Sequence, residues 1–408
     1  MESKKLKWHG GGSVKIAFVI NSLQGGGAER ALARATMELP QEWEIDIILS
    51  DSSNIAYEYR GNIIDLKIPK RKTILYYVKS FLKRYFVLRK LKRQRKYNVC
   101  IGFSESASIV NIISGNKYCK TITSVRTVLS QAGRRKEYRY IVSPLVKLLY
   151  RKSDMIIAVS ESVRLDLIRN YGIDEMKVRT IYNGYDFENI DAQINMPLSD
   201  EGMESFRDNI KIVTMGRYSL PKAQWHLIRA FAEVLRKLPD VRLVILGNGE
   251  LEKYLKKLVK ELNIADKVLF SGFQKNPFNI LSQCQVFVFP SRYEGFSNAL
   301  VEAMYCGLPI IAADYDGVRE ILAPDMDRNK AVHEVEYAAY GILTPVCDGI
   351  QYQAEDELTE EERILARAMI AMLQSKDLQR EYAQRAKARS KVYDSKLFGK
   401  QWAAVISE

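Results

Sequence analysis

Short runs rich in Val, Ile and Phe alternate with longer helix-periodic segments along most of the 408-residue chain, and the alternation stops once and then restarts. A strand that must bury both faces reads as a continuous apolar run. A helix between two such runs returns the chain so that the strands pair in parallel. The first set of candidate strands covers 14–20, 44–49, 63–68, 99–103, 121–125, 155–159 and 178–182, with helices at 28–39, 74–95 and 161–171. Periodicity fades from 183 to 209, where Asn183-Gly184 and Pro197 signal turns and a linker. A second set then covers 212–215, 241–246, 268–270, 286–289 and 310–312, with a helix at 224–237. The expected fold is α/β, two Rossmann-like doubly wound domains facing across a cleft. Expected boundaries are a flexible tail at 1–13, a first domain at 14–190, a linker at 191–209 and a second domain at 210–392. The acidic helical tail from Thr359 has no strands left to pair with and is expected to pack across the outside, while the helix in 393–408 is expected to return to the first domain. The length agrees, because single cores stop growing at roughly 250 to 300 residues.

Charge is divided unevenly. Residues 1–190 hold 34 Lys/Arg against 18 Asp/Glu, a net of +16, which leaves 28 against 31, or −3, for the rest. A polyanionic partner therefore belongs to the first half, and composition alone leaves nucleic acid, an anionic membrane and a phosphorylated substrate open. The densest stretch, 70–97, carries twelve cations and no acid. At helical spacing Ile74, Val78, Phe81, Tyr85 and Leu88 share a face expected to pack on the sheet, and Lys79, Lys83 and Lys90 share the opposite one. That basic face is either a polyanion surface or a merely solvated one. Five cysteines without CxxC spacing read as reduced core residues, and no apolar stretch approaches the roughly 18 residues of a membrane span. The odd cysteine count, without a secretory signal, supports the cytoplasm.

Chemistry concentrates at the ends of candidate strands. Glu294-Gly-Phe-Ser-Asn-Ala-Leu-Val-Glu302 follows the strand at 286–289 and opens a helix, so Ser297, Asn298, Ala299 and Leu300 would aim backbone N–H groups at an anion. The spacing alone leaves two readings: ligand contacts, or a surface-loop acid and a solvated helix residue. Gly216-Arg217 ends another strand, with Lys222 near the next helix start; a guanidinium and an ammonium converging there suit a diphosphate leaving group. Gly247-Asn248-Gly249 opens a further helix at the same sheet edge. Gly25, Gly26 and Gly27 follow the first strand without the full dinucleotide fingerprint, so a nicotinamide cofactor is not expected. Asp314-Tyr315-Asp316 imitates a metal motif but reads as loop polarity and a helix cap, and His9, His226 and His333 are too dispersed for a metal cluster or triad. No metal or cofactor is expected.

Together, Gly25 to Arg30, Gly216-Arg217 with Lys222, Gly247 to Gly249 and the string from Ser291 to Met304 resemble the retaining GT-B glycosyltransferases of family 4, the glycosyltransferase group 1 proteins. The resemblance covers almost the whole chain. It implies that Arg217 and Lys222 hold the diphosphate of a nucleotide sugar, that Glu302 binds its ribose, and that Glu294 contacts the sugar ring. The amides of Ser297, Asn298, Ala299 and Leu300 would meet the phosphates, Gly216, Gly247 and Asn248 would line the donor side, and Gly25, Gly26 and Gly27 would border the cleft. Transfer would proceed with retention, by front-side attack in which the leaving phosphate takes the acceptor proton. Two departures stand out: Arg126 occupies the place where many relatives have histidine, and Ala223 replaces a glycine common after the active-site lysine. Arg126 would contact donor or acceptor oxygens, since it cannot act as a base.

The resulting expectation is a cytoplasmic transferase, peripheral on the inner membrane face. It would move a hexose or N-acetylhexosamine from a UDP-linked donor to a polyprenyl-diphosphate-linked saccharide in polysaccharide assembly, with Lys79, Lys83 and Lys90 serving the membrane or acceptor and no nucleic acid involved. The rivals are a soluble glycosyltransferase with a small sugar or sugar-phosphate acceptor, a non-catalytic basic binding protein, and a sugar-nucleotide epimerase, against which the scarcity of histidine argues.

Overall fold

The computed structural model describes residues 14–68, 73–132, 142–198, 203–204, 207–327 and 330–408, so the expected tail at 1–13 and Lys70 to Lys72 lie outside the described residues. The chain forms two compact units: one contains the residues up to Val159, Val163–Ile181 and Lys396–Glu408, the other Ser160–Ser162 and Tyr182–Ser395.

The first unit is a parallel sheet of β1 (Lys15–Ile20), β2 (Glu44–Leu49), β3 (Asn62–Asp65), β4 (Val99–Phe103), β5 (Lys120–Val125), β6 (Met155–Ala158) and β7 (Val178–Thr180), in the order β3-β2-β1-β4-β5-β6-β7. Its central strands are buried on both faces, which is why they read as unbroken apolar runs. The closing helix Ser395–Ser407 packs on this unit, with Trp402 stacked 5.6 Å from Phe103 and Lys120 donating to the carbonyl of Val405 at 2.8 Å. Phe398, Trp402, Val405 and Ile406 are all buried there. Each contributes on the order of 1.5–3 kcal/mol as an upper estimate.

Helix Ile74–Arg95 keeps part of its expected orientation, with Leu88 buried in the sheet-facing cluster, Phe81 packed against it, and Lys79, Lys83 and Lys90 exposed. The buried stripe runs through Ser80, Leu88 and Lys92, with Arg84 partly buried between them, and Lys92 donates to the carbonyl of Asn111 at 2.6 Å. Val78 lies well away from that stripe and is 51% exposed, so it does not pack on the sheet as the periodicity suggested. On that stripe Lys92 finds a partner inside the fold, whereas the buried Ser80 hydroxyl makes no hydrogen bond among the described residues. Tyr77, Leu82 and Phe86 are left exposed beside Lys79, Lys83 and Lys90.

The second unit repeats the plan with β8 (Ile210–Met215), β9 (Val241–Leu246), β10 (Val268–Gly272), β11 (Val286–Phe289), β12 (Ile310–Ala313), β13 (Glu336–Tyr337) and β14 (Ile342–Thr344), ordered β10-β9-β8-β11-β12-β14-β13. Only β13 is antiparallel. The last two strands were not legible in the sequence, because two- and three-residue runs carry no period. Helix Glu360–Gln374 buries Ile364, Leu365, Met369 and Met372 against helix Gln224–Lys237, so this part of the tail is a core element and does not merely cross the outside. Its register is set by Glu362, fully buried, which accepts from Arg229 at 2.9 and 3.1 Å and lies 2.7 Å from His226 Nδ1. Helix Phe187–Ile194, where periodicity had seemed to stop, is capped by Asp186 and buries Phe187 and Ile190.

Among the parallel strands of each sheet the order reverses once, between β1 and β4 and between β8 and β11. The crevice outside the carboxyl ends of strands at such a reversal is where open α/β sheets bind ligands.

Candidate active site

The second reversal carries Arg217 and Lys222 after β8 and Glu294 after β11. Beyond β8 the chain leans on the loop after β9: Gly216 N–H donates to Leu246 at 3.0 Å and Tyr218 N–H to Asn248 at 2.9 Å. A side chain could not fit between these segments. A Cβ on Gly247, whose φ is +129°, would fall 2.1 Å from the Gly216 carbonyl oxygen, and one on Gly249 would fall 2.4 Å from that of Tyr218. The Gly247-Asn248-Gly249 signal thus marks backbone contact that holds the Arg217 loop in place, and Arg217 itself is exposed.

Lys222 ends the 3-10 turn Leu220–Lys222, and the next residue, Ala223, has φ +51° and ψ +35°. A left-handed residue is needed to swing from this turn into helix Gln224–Lys237, which explains why glycine suits the position. Gln224 donates to the Arg217 carbonyl at 2.9 Å, and Arg292 N–H donates to Pro221 at 2.8 Å. These bonds tie the loops after β8 and β11 together. Lys222 Nζ forms an ion pair with Glu294 Oε1 and lies 5.1 Å from the Phe289 ring centroid.

Helix Asn298–Tyr305 begins four residues after Glu294, with Ser297 at its N-cap position. The Ser297 hydroxyl is 2.5 Å from the Tyr315 hydroxyl and makes no capping bond, so the first-turn amides have no side-chain cap. Burial pushes the Tyr315 hydroxyl well up, and the Glu294 carboxylate adds to the shift. Asn298 Oδ1 accepts from Asn183 at 2.7 Å and from the Tyr185 hydroxyl at 2.6 Å. Glu302 lies inside the helix and is 4% exposed. The arrangement offers two cations, uncapped amides and two carboxylates in separate surroundings, a donor set matched to a diphosphate flanked by hydroxyl-bearing rings.

The remaining sequence candidates belong to the first unit. Gly25, Gly26 and Gly27 are exposed, but Gly25 and Gly26 N–H already donate to Glu29 Oε2 at 2.8 and 2.5 Å. That carboxylate takes the place an anion would seek at this turn. Arg126 follows β5 with its guanidinium 5.7 Å from the Phe103 ring centroid. Asp314 does not cap the following helix; it pairs with Arg319, Oδ1 accepting from Nε at 2.8 Å, and both are buried. Among the described residues no cluster of three His, Cys, Asp or Glu stands ready to hold a metal ion. Sequence reasoning missed Phe289, Tyr315, Tyr185 and the role of Asn183, which had registered only as a linker turn.

Two family profiles match the chain: Glycosyltransferase Family 4 over residues 25–189 and Glycosyl transferases group 1 over 199–339. An uncharacterized glycosyltransferase of Methanocaldococcus jannaschii is 32% identical over 361 residues, 83% of this chain and 89% of the relative. The N-acetylgalactosamine-N,N'-diacetylbacillosaminyl-diphospho-undecaprenol 4-alpha-N-acetylgalactosaminyltransferase of Campylobacter jejuni is 30% identical over 93% of this chain and 96% of its own. Among solved structures, Anabaena HepE in complex with UDP and glucose superposes with a TM-score of 0.73 at 19% identity, covering 97% of this chain and 99% of that one. With two Rossmann-like units, one donor-type constellation and these relatives, the chain belongs to the group 1 glycosyltransferases of family 4 and has the GT-B fold.

Proposed function

We propose that this glycosyltransferase moves a hexose or N-acetylhexosamine from a UDP-sugar to a polyprenyl-diphosphate-linked saccharide. The observation that carries the donor half is the Lys222–Glu294 pair across the β8/β11 reversal, beside the exposed Arg217 and the uncapped start of helix Asn298–Tyr305. Arg217 and Lys222 neutralise the diphosphate as the glycosidic bond breaks, and the amides of Asn298, Ala299 and Leu300 meet its oxygens. Glu294 contacts the sugar ring and Glu302 the ribose. With two cations on the leaving group, the reaction needs no metal, and turnover should persist in EDTA. Retention follows if the leaving phosphate accepts the acceptor proton on the face it departs from. UDP as the nucleotide is supported by its presence with glucose in the similar Anabaena protein.

The acceptor half rests on the first unit. The diphospho-undecaprenol acceptor in the name of the Campylobacter jejuni relative supports a lipid-linked substrate. So does the outer face of helix Ile74–Arg95, where Leu82 and Phe86, the latter 63% exposed, stand among Lys79, Lys83 and Lys90. Apolar side chains flanked by cations suit an anionic membrane surface, with cations on the headgroups and rings at the acyl boundary. No described helix is long and apolar enough to cross a membrane. The test is a UDP-release assay across UDP-sugars with an extracted lipid-linked oligosaccharide pool, followed by mass spectrometry of the product. Release without any sugar gained by a lipid-linked species would reject the acceptor assignment.

A further inference from the structure

The chain passes between its two units at 159/160, 162/163, 181/182 and 395/396. Within the second unit, residues beside these passages converge on one short stretch, Gly295 to Asn298. Ser160 Oγ donates to the Gly295 carbonyl at 2.6 Å. The Phe296 ring lies 5.7 Å from Tyr182 and 5.4 Å from Tyr393, and those two rings are 5.5 Å apart. Asn183 and Tyr185 both donate to Asn298 Oδ1. The passages are also joined to one another, since Tyr185 N–H donates to Tyr393 and Ser395 N–H to Tyr185, each at 2.9 Å. Glu320 accepts from the backbone N–H of Glu161 at 2.6 Å and of Ser162 at 3.2 Å, fixing the earliest passage to the same unit.

These contacts have a direct chemical effect on the stretch that precedes and opens helix Asn298–Tyr305. With two donors on its Oδ1, the Asn298 carboxamide cannot rotate, and its N–H groups keep one direction. With the Gly295 carbonyl held by Ser160, the Gly295–Phe296 peptide, one residue beyond Glu294, is fixed. An anion site made of amides gains its affinity from such prior orientation, because no ordering is left to be done when the ligand arrives.

We infer that Asn183, Tyr185 and Ser160 are positioning residues for the nucleotide sugar, holding the Gly295 to Asn298 stretch so that the first-turn amides of the helix it opens face the diphosphate. The inference rests on the donor reading given above.

The test measures UDP binding to the full chain by titration calorimetry, alongside the donor KM and kcat. Tyr185→Phe, Asn183→Ala and Ser160→Ala are compared with Tyr305→Phe, which removes a 2.7 Å hydroxyl bond to Asp191 from the far end of the same helix. A positioning role weakens UDP binding and raises donor KM about five- to tenfold in each of the first three, as expected for one lost neutral hydrogen bond. It leaves kcat at saturating donor within about twofold, and Tyr305→Phe binds UDP as the wild type does. Wild-type UDP affinity in Tyr185→Phe and Asn183→Ala, or an equal loss in Tyr305→Phe, overturns the inference while the donor site stands. No UDP binding by the wild-type chain overturns both.

Discussion

Lys222 and Glu294 reach each other from opposite sides of the β8/β11 reversal, and their side chains keep 20% and 15% of their exposure. Neither belongs to the element that carries the other. The pair exists because two loops are pinned, one by Arg292 N–H on Pro221 and the other by the glycine contact after β9.

Removing the ammonium should therefore hurt catalysis far more than folding. Lys222→Ala is expected to lower kcat/KM by about a hundredfold or more, as for other lost charge-stabilising donors. Stability should fall by only about 1–2 kcal/mol, since the pair is largely but not fully withdrawn from water. UDP-release kinetics and urea denaturation of the same preparation check both halves.

The glycine contact predicts the opposite pattern. Gly247→Ala places a methyl against the Gly216 carbonyl at a φ that L-residues avoid, and should cost about 2–3 kcal/mol. Gly249→Ala should cost a similar amount without the φ penalty. Both displace the Arg217 loop, so activity falls with stability. An alanine at either position with wild-type unfolding would show that the backbones do not touch.

Ala223 sits at φ +51° with its methyl fully buried. Ala223→Gly relieves about 1–2 kcal/mol of left-handed strain but loses a buried methyl and gains unfolded-state freedom. These terms offset, so stability should stay within about 1 kcal/mol of wild type and activity should persist. Ala223→Val, with a branched Cβ at the same φ, should be clearly destabilised in thermal melts.

Glu362 is the buried anion shared by Arg229 and His226. Glu362→Ala strands a fully desolvated guanidinium and is expected to cost about 3–5 kcal/mol. Chemical denaturation reads this directly. A loss under 1 kcal/mol would mean that Arg229 is held by the carbonyls of Gln353, Asp356 and Glu357 alone.

Membrane contact is tested on the outer face of helix Ile74–Arg95. Charge reversal at Lys79, Lys83 and Lys90 should abolish co-sedimentation with anionic vesicles, and Leu82→Glu with Phe86→Glu should do so even at low salt. Neutral vesicles should bind weakly in every case. Binding that survives both sets of changes would remove the membrane from the acceptor reading.

Much of the fold was legible because fully buried strands leave long apolar runs, as in β1, β4 and β9, and because helix Gln224–Lys237 keeps a strong period. β13 and β14 were not, being too short to have one. Helix Ile74–Arg95 was found with the right bounds and with Phe81 and Leu88 inward, but Val78 is exposed and Lys92 buried. A period tells which residues share a side; it does not show that Lys92 is drawn inside by the Asn111 carbonyl. In the same way His226 looked isolated, since its partner Glu362 lies in another helix.

The linear chain determined the two doubly wound halves, the identity of the charged residues at their strand ends and the family these residues belong to, because each depends on local pattern and residue type. Tertiary structure alone decided that Lys222 meets Glu294, that Gly247 lies against Gly216, and that Asn183 and Tyr185 grip Asn298. Those relations join segments separated by tens to more than a hundred residues. No local period encodes them; they follow from which strands become neighbours in the sheet and from the few backbone and side-chain bonds that fix the loops above.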